Sequence, residues 1–172
     1  GTLVLHGNNT YSGGTTISAG TLTLGVGSTT GAISGNVTNN GNLTFNRSSD
    51  YNFTGAISGT GSVTQAGSNV LTLSGTNTYS GITTVSAGTL AVSADAKLGA
   101  VPGSATAGQL VLNGGALQTT AGFTLNANRG ISLGSSGGTI NTDSGTTLTY
   151  NGIIADGGTL TKSGTGTLIL GG

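Results

Sequence analysis

Side chains able to do chemistry are few in this sequence, and their spacing is more telling than their number. His6 is the one histidine and cysteine is absent. Asp50, Asp95, Asp143 and Asp156 make up the acidic complement, and Arg47, Lys97, Arg129 and Lys162 the basic one. Glycoside hydrolysis needs two carboxyls flanking one bond, and a hard-cation site needs several oxygens converging. The four aspartates are dispersed and read as turn and corner residues. Near-copies of the His6 segment carry Ser74 and Gly171 in its place, so His6 reads as a surface residue. Calcium nonapeptides of the GGxGxD type are missing, because Gly137-Gly138 and Gly157-Gly158 lack the ligating aspartate. No catalytic residue, metal site or cofactor is therefore expected.

The remaining candidates are weaker still. Asn8, Asn36, Asn42, Asn46 and Asn52 begin Asn-x-Ser/Thr triplets, which arise by chance in a chain this rich in Asn and Thr. Tyr11 and Tyr79 share one repeat position ahead of a glycine-containing corner, where a ring would stack on the next layer of chain. The four bases lie far apart and cannot assemble the basic patch that nucleic acid or an anionic membrane requires.

What must hold these side chains is a repeat. LVLHGNNTYSGGTTISAGTL at 3–22 returns as LTLSGTNTYSGITTVSAGTL at 71–90, an offset of 68. Residues 53–75 match 150–172 without a gap at an offset of 97, and GTLVLHG at 1–7 returns as GTLILGG at 166–172, an offset of 165. The two internal offsets together equal the third. The 172 residues thus read as a single segment, one period of 165 plus a short overlap.

Composition excludes several classes. Gly is 35 of 172 and Pro 1, charged residues are 5% and aromatics 4%, with a mean hydropathy of +0.16. Regularly spaced Leu, Ile and Val argue against disorder, and glycine does not recur at every third position as in collagen. There is no run of 18 apolar residues, hence no membrane insertion by this segment, and no signal peptide at its start. A chain without cysteine suits passage, unfolded, through a cell envelope.

Short apolar runs alternate with Thr, Ser or Asn at the two-residue period of half-buried strands, and no stretch has helical spacing. Leu3, Leu22 and Leu43, then Leu71, Leu90, Leu110, Ile131, Leu148 and Leu168, recur at roughly 20-residue steps, the length of one solenoid coil. One interruption falls at Ala66–Val70. These residues are expected to form the core stack, with Asn40-Gly41, Asn113-Gly114 and Asn151-Gly152 as corners. The expected architecture is an all-β parallel solenoid of about seven to nine coils, a rod of roughly 35 to 45 Å.

The block GTLTKxGxGTLxLxGxNTYxGxTTVxxGTL carries a resemblance. Its C-terminal half stands at 3–22 and 71–90, and its N-terminal half at 158–172 and more loosely at 61–75. These segments resemble the autotransporter-associated β-strand repeat of bacterial passenger domains. The resemblance implies a right-handed parallel β-helix, exported through an outer-membrane pore and acting as a stalk at the bacterial surface. Passengers of that family usually end in a membrane β-barrel, which this stretch does not include. The expected function is a structural, adhesin-like rod, not an enzyme. Its expected partner is itself: neither end offers a polar cap, and their near-identity suggests head-to-tail continuation. The alternative is a module binding ice or a crystalline glycan through Thr ladders. Thr21/Thr23 and Thr147/Thr149 form such pairs, but no unbroken ladder is visible in sequence.

Overall fold

The computed structural model describes residues 1–172. Every strand pairing is parallel, and the chain winds through eight coils of triangular cross-section. Face one is an eight-stranded sheet of Thr2–Leu5, Thr21–Ser28, Asn42–Arg47, Ser62–Gln65, Thr83–Val85, Thr106–Leu112, Arg129–Leu133 and Ile154–Ala155. Face two opens with the isolated bridge Asn8–Ala32 and continues through Tyr51–Phe53, Val70–Leu73, Thr89–Val92, Ala116–Thr119, Gly138–Thr142 and Leu160–Ser163. Face three has two three-stranded pieces: Thr15–Ile17, Val37–Asn39 and Ile57–Ser58, then Phe123–Leu125, Thr147–Tyr150 and Thr167–Leu170.

Alternation dictates which way each side chain points. Leu22, Leu24, Leu43, Phe45 and Val63 turn inward from face one, while Thr21, Thr23, Thr44, Ser62 and Thr64 turn outward. Inward residues of all three faces join one core of 26 buried side chains, so the molecule has a single hydrophobic interior. Each buried aliphatic contributes about 1.5 to 3 kcal/mol, but only when a coil above and below covers it.

Corners are set by close approach more often than by a special dihedral. Gly20, Gly41, Gly61 and Gly81 stack at the corner leading into face one, and a Cβ on Gly41 or Gly61 would run into the carbonyl oxygen of the glycine beneath. Of the three Asn-Gly corners only Gly114 takes a positive φ, of 98°. Gly41 and Gly152 are glycine because backbone or a Tyr150 ring occupies the space where a side chain would go.

The structure corrects the expected core stack. Leu3, Leu22 and Leu43 do pair in sequence on face one, followed by Val63, Thr83, Leu110, Ile131 and Ile154. Leu71 and Leu90 stand on face two, continued by Leu117 and Ile140; Leu148 and Leu168 stand on face three, beside Phe123. All three walls share one inward pattern, so a leucine of one can be mistaken in sequence for a leucine of another. The supposed interruption at Ala66–Val70 is an ordinary corner between faces one and two. The real one follows Val92: the step from Thr83 to its partner Leu110 is 27 residues, against 20 from Val63 to Thr83. The extra length holds the one departure from all-β structure, a 3-10 turn at Asp95–Leu98.

The repeat and the triangle are out of phase. The same strand motif lies on face one at Thr2–Leu5, on face two at Val70–Leu73 and on face three at Thr167–Leu170. An offset of 68 residues is three coils and one further face, so each copy is turned by one side of the triangle. All three sides offer strand stacked on strand with apolar residues inward, so one motif fits any of them.

Candidate functional site

His6 lies at the surface. Each aspartate is engaged locally. Asp50 Oδ1 accepts from Val70 N (2.9 Å), Asp143 Oδ1 from Gln118 Nε2 (2.8 Å) and Asp156 from the Ser132 hydroxyl. These are ties between consecutive coils, and no three of the His and Asp side chains converge as a metal-binding group.

Asp95 belongs to the one dense polar cluster, which the sequence did not reveal. Arg129, 1% exposed, donates from Nε and Nη2 to the Asp95 carboxylate at 2.9 and 3.2 Å. Its other donors reach the carbonyl oxygens of Leu98 (2.9 Å), Gly99 (2.6 Å) and Ala100 (3.1 Å). Asn126 N also bonds Asp95 Oδ1 (3.0 Å), and Asn128 Nδ2 bonds the Pro102 carbonyl (2.9 Å). The loop that breaks the coil period is thus held down from the end of the next coil and the start of the one after it. Its carbonyls have no ladder to join, and a five-donor guanidinium meets that need.

Arg47 does the same at an earlier irregularity. Face one shifts register between Leu24 and Ser28, and Arg47 Nη2 donates to Thr29 O (2.6 Å) and Ser49 Oγ (3.0 Å), its guanidinium 4.8 Å from the Tyr51 ring centre. Tyr51 closes an aromatic cluster with Phe45 and Phe53, and burial pushes its phenol upward from 10.0. The available signal was rarity: two arginines in a chain with 5% charged residues.

Tyr11 and Tyr79 form the same local bond in different surroundings. The Tyr79 hydroxyl pairs with Thr83 Oγ1 at 2.7 Å and the Tyr11 hydroxyl with Thr15 Oγ1 at 2.8 Å. Tyr79 is fully buried beneath Gly99, whose missing Cβ leaves room for the ring; Tyr11 has no such cover and is 41% exposed. Burial drives the Tyr79 phenol up to about 12, partly opposed by the Thr83 bond and the Arg129 charge. Tyr150 is likewise raised by burial.

Face one also carries the outward feature that sequence spacing hid. Strand register aligns Val4, Thr23, Thr44, Thr64, Thr84 and Val111 in one outward row, the middle four all threonine. Thr21, Asn42 and Ser62 form a second row two residues away. A four-rung ladder therefore exists, correcting the expectation that none is unbroken. It was missed because only Thr21/Thr23 is visible within a strand; the rest of the row lies across coils.

With this geometry in hand, the chain matches the family described as Passenger-associated-transport-repeat at residues 1–24, 63–92 and 160–172. These segments carry the strand motif that the structure sets on three different faces. Three segments of the chain are similar to autotransporter passenger repeats. The longest matched segment, 63–92, runs from face one round to face two of the following coil. The chain is also similar to the adhesin BmaC autotransporter of Brucella suis biovar 1 (strain 1330), 43% identical over 85 residues. That match spans 49% of this chain but 2% of the relative's length. No solved structure matches. The likeness to passenger repeats places the segment outside the cell, at its surface. No helix is long and apolar enough to cross a membrane.

Proposed function

We propose that the segment is a rigid length of a surface rod, non-enzymatic, whose coils continue in line through head-to-tail units. The observation that supports this reading is the rotation of one strand motif from face one at Thr2–Leu5 to face three at Thr167–Leu170. A 165-residue step is seven coils and two further faces, so the motif passes from face one to face three while the ladder and the apolar interior continue, and a following unit stacks without a break. Eight coils at about 4.8 Å each give a rod of nearly 40 Å per unit. Its stiffness comes from the continuous core, the glycine corners that let coils approach, and the two arginine latches that hold irregular loops against the wall. A heterologous contact of this kind does not close on itself, which suits a stalk.

A tandem chain, residues 1–165 joined three times and ended by 166–172, tests the reading by electron microscopy. One straight rod about three times the single-unit length is expected. Three separate beads joined by flexible chain would refute head-to-tail continuity.

A further inference from the structure

We infer that the outer surface of face one binds an ordered neutral polysaccharide, through the threonine row Thr23, Thr44, Thr64 and Thr84. The inference needs face one to be solvent-facing, as the rod reading has it, but does not need units to continue head to tail.

Four observations carry it. Pairing places the four threonines on consecutive coils, so their hydroxyls and methyls repeat along the rod every ~4.8 Å. Val4 and Val111 extend the same β-branched shape at either end, and Thr21, Asn42 and Ser62 run alongside at about 7 Å, two strand residues away. The result is a flat, two-dimensional array on a rigid support. Second, the four threonines are half-buried yet none of their hydroxyls bonds another protein group. Further along the same row, by contrast, Ser132 bonds Asp156, and on face two Asn52 bonds Ser74 and Gln118 bonds Asp143.

Third, none of these aligned positions carries a charge, so the surface offers nothing specific to an anionic or cationic partner. Fourth, no aromatic or arginine stands among the aligned positions and no cavity is lined by Thr23, Thr44, Thr64 or Thr84, so the row lacks the features on which protein partners concentrate binding energy. A partner fitting all four is neutral, rich in hydroxyls and periodic along one direction. Individual threonine contacts are weak, and only a partner with a comparable repeat engages them together. An extended, ordered polysaccharide meets that description: its ring hydroxyls can exchange hydrogen bonds with the threonines while its C–H faces rest on the γ-methyls.

The test is depletion of the 172-residue chain from solution by microcrystalline cellulose and by crystalline chitin. The parent is compared with the combined variant Thr23→Val, Thr44→Val, Thr64→Val, Thr84→Val. Valine keeps the shape and strand preference while removing the hydroxyl, so the variant separates ligand binding from a purely structural use of threonine. Thr16→Val with Thr38→Val on face three serves as the control. Expected is retention of the parent on at least one solid, a loss of at least about tenfold in partition for the face-one variant, and no change for the control. Equal retention of the face-one variant overturns the inference, as does no retention of the parent on either solid. Thermal hysteresis without polysaccharide retention would assign the array to ice and overturn it too. If the face-one variant loses its circular-dichroism melt, single Thr44→Val and Thr64→Val variants replace it, each expected to weaken retention about two- to tenfold; unchanged retention in both overturns the inference.

Discussion

Tyr79 and Thr83 share a hydroxyl hydrogen bond of 2.7 Å inside the core, with the tyrosine ring fully out of solvent. Because burial raises the phenol to about 12 against 10.0 for a free one, the folded state resists ionisation that the unfolded chain undergoes. The resulting stability is fully present below pH 10 and is lost as pH rises through 12. Urea unfolding at pH 9 and pH 12 should show this loss, about 2 to 3 kcal/mol from Tyr79. Tyr79→Phe should reduce the dependence, leaving the smaller part that Tyr51 and Tyr150 contribute.

Arg129→Met keeps the stem of the side chain but leaves Asp95 and the carbonyls of Leu98, Gly99 and Ala100 without their donors. A loss of about 3 to 5 kcal/mol is expected in a urea titration. Amide exchange should quicken first at residues 95–100. Unchanged protection there would show that the loop holds itself.

Leu90 is 1% exposed and sits between Leu71 and Leu117 on face two. Leu90→Asp puts an unpaired charge into that column and should abolish the cooperative thermal transition seen by circular dichroism. Leu3, 59% exposed on the first coil, should accept the same change with little effect.

Gly61→Ala tests the corner ladder. Its methyl would meet the Gly41 carbonyl and the Asn39 side chain, and a cost of about 2 to 4 kcal/mol is expected. Gly157, with open space where a Cβ would go, should tolerate alanine within about 0.5 kcal/mol. Equal melting temperatures for the two variants would refute close packing at the corner.

The coil itself was legible in the sequence because Leu3, Leu22 and Leu43 fall one turn apart and alternate with Thr or Asn. The wall to which each leucine belongs was not, since Val63 and Leu71 differ by a corner that has no signature distinct from a loop. Nor was the ladder from Thr23 to Thr84, which exists only across coils. The Arg129–Asp95 latch joins residues 34 apart through three-dimensional placement of a loop whose length breaks the period. Local alternation therefore specified strands and coils, while face and latch depended on where the extra residues after Val92 were spent.

The assignment of walls is the central claim, and a cysteine-free chain lets cross-linking read it directly. Thr89 and Ala116 are paired neighbours on face two, whereas Gln109 belongs to face one. Oxidised Thr89→Cys/Ala116→Cys chains should form an intramolecular disulfide nearly completely, within the short Cα separation such a bond demands. Thr89→Cys/Gln109→Cys chains should form none. A cross-link in the second pair and none in the first would put Leu90 and Leu110 on one wall and contradict the triangular coil described above.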